Sequence, residues 1–65
     1  MYTEKYILDE IKRTAEENHG KPLGVIRFAK ETGIREIDWK GKYWTKWSEA
    51  IMEAGYTPNP FYSST

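Results

Sequence analysis

The sequence predicts an all-α fold, a small bundle of about four short helices. Apolar residues recur at helical spacing near both ends of the chain, glycines stand where the helices would end, and no stretch shows the period-two alternation of a half-buried strand. A chain of 65 residues makes one small domain. We expect that domain over residues 1–57, and a flexible tail over residues 58–65, where Pro58 and Pro60 prevent further helix.

The first predicted helix spans residues 3–18. Thr3 is the expected N-cap, and Gly20 is the expected left-handed residue that ends the helix. Acidic side chains fill the face opposite its apolar stripe. That stripe consists of Ile7, Leu8, Ile11 and Ala15.

Two further helices are predicted in the middle of the chain. The second spans Val25–Thr32 and ends at Gly33, and the third spans residues 35–40 and ends before Gly41. Two short helices separated by a turn of this length have the form of a helix-turn-helix corner. Small helical bundles contain such corners without binding DNA, so the form alone does not decide the function.

The fourth predicted helix carries the clearest end signals. Thr45 is its expected cap, and apolar residues recur at helical spacing between residues 47 and 54. Gly55 stands at the C′ position and Tyr56 at C″, where a Schellman ending places an apolar contact with the last turn.

The core must come from large side chains, because the chain has no cysteine for a disulfide and is 15% aromatic. Trp39 and Tyr43 can either complete the core or lie at the surface among lysines. The helical spacing assigns the following residues to the core: Ile7, Leu8, Ile11, Ala15, Ile26, Phe28, Ile34, Ile37, Trp44, Trp47, Ala50, Ile51, Ala54 and Tyr56.

The sequence contains no group of residues typical of an active site. It lacks cysteine, and its one histidine, His19, falls in the turn after the first predicted helix. The glycine-flanked stretches lack the spacing of a phosphate-binding loop. We therefore expect a non-enzymatic protein without metal or cofactor, monomeric and cytoplasmic, because no segment approaches the length of a membrane span.

The net charge is zero, but the charges are unevenly distributed. Residues 1–20 hold three basic and five acidic side chains, residues 21–46 hold seven basic and three acidic, and residues 47–65 hold two acidic and no basic ones. A basic middle segment between acidic ends indicates a polyanionic partner. The alternative is that the middle cations are surface charges paired with Glu31, Glu36 and Asp38.

Three motifs in this chain resemble the homing-endonuclease-associated repeat, a small helical module found beside HNH nuclease domains. They are Gly-Lys-Pro at residues 20–22, Phe-x-x-x-Thr-Gly-Ile at residues 28–34, and the closing run from Trp44 to Asn59. The match is strongest over residues 20–59, with the first predicted helix before it. The resemblance implies a DNA-binding module that works with a nuclease domain or with further repeats. No nuclease residues accompany it, so cleavage is not implied.

Together, the charge pattern and the resemblance predict duplex DNA as the partner, bound weakly by a single copy. Arg35 and Lys40, with Trp39, would approach the major groove from the helix after the turn. The remaining candidates would contact phosphates or lie beside them: Arg27, Lys30, Lys42, Tyr43 and Lys46.

A second hypothesis is a protein-interaction or structural module. Its contacts would come from exposed aromatic side chains that meet a partner domain or a neighbouring repeat. The candidates are Trp39, Tyr43, Phe61 and Tyr62.

Overall fold

The structure, a computed structural model, describes residues 2–57. It contains three α-helices, α1 (Glu4–Glu17), α2 (Val25–Thr32) and α3 (Trp47–Glu53), and one 3₁₀ turn at Glu36–Asp38. Residues 2–57 form no strand, so the all-α prediction is confirmed for them, whereas the count of about four helices is wrong. No helix in this part of the chain could cross a membrane. The predicted tail at residues 58–65 lies outside it.

Helix α1 begins as the sequence predicts. The Thr3 hydroxyl oxygen accepts a hydrogen bond from the Tyr6 backbone N–H at 3.1 Å, which satisfies one of the free donors of the first turn. The predicted stripe faces the core: Ile7, Ile11 and Ala15 are buried, and Leu8 is half-buried.

Two successive left-handed residues end α1. His19 has φ +60° and Gly20 has φ +79°, and the Gly20 N–H donates to the Ala15 carbonyl at 2.7 Å. The prediction for Gly20 is confirmed, but the first left-handed position belongs to His19. A residue with a Cβ is disfavoured there by about 1–2 kcal/mol.

Helix α2 has the predicted bounds. Gly24 stands at its N-cap without a capping side chain, and Gly33, at φ +80°, ends it by donating to the Ala29 carbonyl at 2.8 Å. Phe28 faces the core, with 1% of its surface exposed. Ile26, which lies two residues earlier, points the other way.

The third predicted helix does not form. Residues 36–38 make a single 3₁₀ turn, in which the Arg35 N–H donates to the Asp38 carboxylate at 2.8 Å. The chain then turns back at Gly41, whose φ is +79°. The segment is too short for a stable α-helix because the turn at Gly41 comes so early, and the Trp39 ring is drawn into the core.

An aromatic cluster fills the centre of the domain. The Trp47 ring lies 4.8 Å from that of Phe28 and 5.1 Å from that of Trp39, measured between centroids. The Trp47 indole N–H donates to the Leu23 carbonyl at 2.9 Å. Trp44 packs at the edge of the cluster, 6.5 Å from Trp39. The undecided Trp39 is therefore a core residue.

Helix α3 starts one residue later than expected and ends as predicted. Its N-cap is Lys46, and the Glu49 carboxylate accepts from both the backbone N–H and the hydroxyl of Thr45 at 3.1 Å. Gly55 has φ +97°. The Tyr56 N–H donates to the carbonyl of Ile51, and the Gly55 N–H donates to that of Met52, each at 3.0 Å, which is the Schellman pattern.

Two core assignments were wrong and one core residue was missed. Ile26 and Ile37 are 74% and 70% exposed, because Ile26 lies on the outer side of α2 and Ile37 lies in the 3₁₀ turn. Leu23 is 5% exposed and packs in the core just ahead of α2. The other predicted core residues are buried or half-buried.

Replacing Trp47 with alanine should unfold much of the population. The change removes two ring contacts and leaves the Leu23 carbonyl without its donor, and such truncations cost about 3–5 kcal/mol. Urea melts followed by circular dichroism measure the loss. Met52→Ala is the matched control, because Met52 is 57% exposed on the same helix. Equal stabilities of the two variants would contradict the placement of Trp47.

A second pair of variants tests the end of α1. His19→Gly should raise the free energy of unfolding by about 0.5–1 kcal/mol, because glycine adopts φ +60° without strain. Gly20→Ala should lower it by about 1 kcal/mol through the backbone alone, since a Cβ there meets no atom within 4 Å. Thermal melts measure both. A lower melting temperature for His19→Gly would refute the assignment.

Candidate nucleic-acid interface

Six candidate cations, referred to below as the basic cluster, are all exposed. Two lie on α2, two flank the 3₁₀ turn, one lies at a loop tip and one caps α3. In that order, they are Arg27 and Lys30, Arg35 and Lys40, Lys42, and Lys46.

The basic cluster forms almost no ion pairs. Within residues 2–57, only Lys40 of the six has a carboxylate within 4.0 Å, that of Glu36 at 3.5 Å. The Asp38 carboxylate instead accepts from the Arg35 backbone N–H. Within the described residues, the alternative in which neighbouring acids neutralise these cations therefore holds at contact distance for Lys40 only. Hydrogen bonds from Thr45 lower the pKa of the Glu49 carboxyl, and the charge of Lys46 acts in the same direction, so Lys46 also interacts with an acid at longer range.

Helix α1 presents the opposite arrangement. Arg13 contacts Glu10 at 2.7 Å and Glu17 at 2.9 Å, and Lys5 contacts Asp9 at 3.2 Å. The Arg13 guanidinium lowers the pKa of the Glu10 carboxyl, and the two carboxylates raise the pKa of Arg13. Two of the three basic residues of α1 are thus engaged by acids on their own helix, whereas five of the six cations of the basic cluster have no described carboxylate within 4.0 Å.

A shallow groove, the α2 groove, joins α2 to the 3₁₀ turn. Its lining consists of Val25, Ile26, Ala29, Lys30 and Glu36. Glu36 also pairs with Lys40 at 3.5 Å, so one carboxylate beside the groove is already engaged by a cation of the basic cluster.

Arg27 lies in a different setting. It borders a small cleft at the end of α1, together with Glu17, Asn18 and Glu31. Two carboxylates therefore lie near Arg27 without pairing with it among the described residues. These two carboxylates reduce the attraction of Arg27 for an anion.

Trp39 cannot belong to the candidate surface. It is 1% exposed and packed between Trp44 and Trp47, so its assignment to a DNA-contacting face is wrong. The reason is volume, since this small core needs the indole to fill its centre. Within the described chain, its buried ring nitrogen has no hydrogen-bond partner.

Tyr43 is half-buried and serves the fold. Its hydroxyl donates to the Tyr2 carbonyl at 2.9 Å, and its ring lies 5.7 Å from that of Trp44. It therefore ties the loop to the start of α1. A half-buried ring held by an edge-type contact with Trp44 and by its hydroxyl has little freedom to turn and stack on a base.

The loop of residues 39–44 presents Lys42 at its tip. Gly41 N–H donates to the Trp44 carbonyl at 2.9 Å, and the N–H groups of Lys42 and Tyr43 donate to the Trp39 carbonyl at 3.1 and 3.0 Å. These bonds anchor both ends of the loop on buried indoles. The fold thus holds the Lys42 backbone in place while its side chain extends into solvent.

The expected recognition helix is absent. Arg35 and Lys40 flank a turn of three residues, which is too short to lie along a major groove as a helix does. The assignment of these two side chains to a recognition helix is wrong. They remain exposed, one before and one after the turn.

Two carboxyl groups meet where the start of α1 approaches the end of α3. A hydrogen bond with the Glu53 carboxyl raises the pKa of Glu4, and burial and the charge of Glu53 act in the same direction. The Trp44 indole N–H donates to Glu53 at 3.2 Å. The acidic side chains at this contact lie outside the basic cluster.

Within residues 2–57, no three metal-ligating side chains come together.

Sequence reasoning missed the exposure of Ile26. The signal was available, because residues two apart in a helix are about 200° apart around its axis. Ile26 and Phe28 therefore cannot both face the core. The apolar rim of the α2 groove follows from that angle.

Comparisons with protein-family models, with curated proteins and with solved structures gave no significant match. The resemblance to the homing-endonuclease-associated repeat therefore stays a prediction from the motifs themselves.

Glu53→Gln should stabilise the domain at neutral pH. The folded-state pKa of Glu4 is raised, which means that the folded state favours the protonated form of this carboxyl. The resulting stabilisation is fully present below the unfolded pKa of Glu4 and is lost as the pH rises through its folded pKa. Removing the neighbouring charge should raise the melting temperature at pH 7, and the gain should disappear below about pH 4.

The matched control is Glu31→Gln, an equal charge change in the last turn of α2, where the neighbouring cleft holds the cation of Arg27 as well as the carboxylate of Glu17. Thermal melts between pH 3.5 and 7 compare the two variants. The same pH dependence in both would show that the Glu4–Glu53 contact has no special effect.

Proposed function

We propose that this domain is a small, non-catalytic DNA-binding module that contacts duplex DNA through the basic cluster. The observation that carries the proposal is the scarcity of ion pairs there. In the part of the chain that the structure describes, five of the six cations have no carboxylate within 4.0 Å. Exposed cations without partners can neutralise phosphates without first breaking an internal pair.

Most of the affinity in such a complex is electrostatic. Phosphate contacts fix position and orientation without reading sequence, and salt weakens them. The protein has zero net charge, so its overall field does not add to the attraction of the local cluster. A single copy should bind in the micromolar range or more weakly.

The mode of binding differs from that of a helix-turn-helix protein. The proposed contacts come from α2, from both sides of the 3₁₀ turn, from the loop tip and from the start of α3. They are distributed over short segments, which favours phosphate contacts over a continuous set of base contacts.

The motif resemblance supports the same function and suggests how weak binding becomes useful. A nuclease domain or further repeats, joined to this module, would raise its effective concentration at DNA. The module would then contribute affinity and position, while the chemistry would lie elsewhere.

The second hypothesis, a protein-interaction module, now depends on different residues from those expected. Trp39 is buried and the Tyr43 hydroxyl is engaged, while Phe61 and Tyr62 lie outside the described residues. The observation that favours this function is instead the exposure of Ile26 and Ile37. Aliphatic rather than aromatic contacts would then meet the partner.

Binding to a mixed-sequence duplex should depend steeply on salt. With about four phosphate contacts, a plot of the logarithm of the binding constant against the logarithm of the salt concentration should have a slope of about −3.6. Lys30→Gln and Lys42→Gln should each weaken binding and reduce the slope by about 0.9. Fluorescence anisotropy at several salt concentrations measures both quantities, and an NMR titration at low salt locates the shifts.

The control is Lys12→Gln, the same charge change at an exposed lysine of α1 that forms no ion pair with the described residues. It should leave affinity and slope close to those of the parent. The proposal is lost if no shifts appear around residues 27–46, or if Lys12→Gln acts as strongly as the cluster variants.

A further inference from the structure

Two isoleucines stand apart from the other four of this domain. Ile26 and Ile37 are 74% and 70% exposed, whereas each of the others is at most 1% exposed. Burying such a side chain is favourable because it removes apolar surface from water. A single exposed aliphatic residue is ordinary, so the argument depends on what surrounds these two.

Both isoleucines lie among members of the basic cluster. Ile26 and Lys30 are four residues apart on α2 and so share its outer face, and Arg27 follows Ile26 directly. Ile37 is the middle residue of the 3₁₀ turn, with Arg35 before it and Lys40 after it.

The two isoleucines lie on neighbouring elements of the fold. Glu36, the neighbour of Ile37 in the turn, lines the α2 groove together with Ile26 and Lys30. The edge of the 3₁₀ turn therefore lies against the outer face of α2. Both elements thus carry an exposed isoleucine and largely unpaired cations.

Duplex DNA offers a counterpart to both the exposed isoleucines and the cations. Its major groove carries the methyl groups of thymine, and rows of phosphates border the groove on both sides. Aliphatic side chains contact thymine methyl groups, and cations beside them contact the phosphates. An uncharged apolar partner would leave the cations without counterparts.

We propose that Ile26 and Ile37 make the base contacts of this interface by packing on thymine C5-methyl groups. The inference rests on the proposed DNA-binding function and gives it a preference for sites that contain thymine. Base reading then comes from two side chains on short elements and needs no recognition helix.

The test compares two duplexes that differ only in those methyl groups. One is a 16-base-pair A·T-rich duplex, and the other has deoxyuridine in place of every thymine, which preserves charge and hydrogen-bonding groups. By anisotropy at low salt, the natural protein should bind the thymine duplex about fourfold more tightly for each methyl contact buried. Ile26→Ala and Ile37→Ala should each reduce that difference without changing the salt slope.

The matched control is Met52→Ala, which removes a 57% exposed apolar side chain from α3. It should retain the full difference between the duplexes. Equal binding of both duplexes by the natural protein, with the expected salt slope, overturns this inference and leaves the DNA-binding proposal standing. No binding to either duplex overturns both. Self-association that Ile26→Ala abolishes, measured by sedimentation, overturns the inference in favour of an interface between copies.

Discussion

The fold depends on the contact of the Trp47 indole with its surroundings. The ring packs between Phe28 of α2 and Trp39 of the following segment, and its N–H donates to the Leu23 carbonyl ahead of α2. One side chain thus joins α3 to two separate parts of the chain. The domain has no cysteine and so no disulfide, and the packing of Trp47 is therefore what joins α3 to the residues before it.

The position of the basic cluster follows from this core. Four buried side chains alternate with the cations along residues 27–46: Phe28, Ile34, Trp39 and Trp44. Each buried residue fixes the backbone locally, and the charged residue beside it must point to solvent. The surface proposed to meet DNA is therefore held by packing, although its elements are a short helix, a 3₁₀ turn and a loop.

Local sequence signals were sufficient to predict helix ends where the backbone takes a left-handed conformation. The ends of α2 and α3 were predictable because Gly33 and Gly55 occupy left-handed positions that favour glycine. The segment after Gly33 was not predictable in this way. Its conformation depends on the burial of Trp39 against Trp44 and Trp47, which lie beyond a turn at Gly41, and neither period nor propensity reports such contacts. Among the candidate site residues, the six cations are exposed as expected, whereas Trp39 is buried and Tyr43 is half-buried.

The three tryptophans also make the domain its own spectroscopic probe. Their indole nitrogens meet three different environments: a backbone carbonyl for Trp47, a carboxylate for Trp44, and no acceptor among the described residues for Trp39. All three rings belong to one buried cluster. Intrinsic fluorescence therefore reports the integrity of the core, and a ligand confined to surface charges should leave it nearly unchanged. A partner that alters the emission has changed the packing of the cluster or the charge near an indole, such as the Glu53 carboxylate beside Trp44.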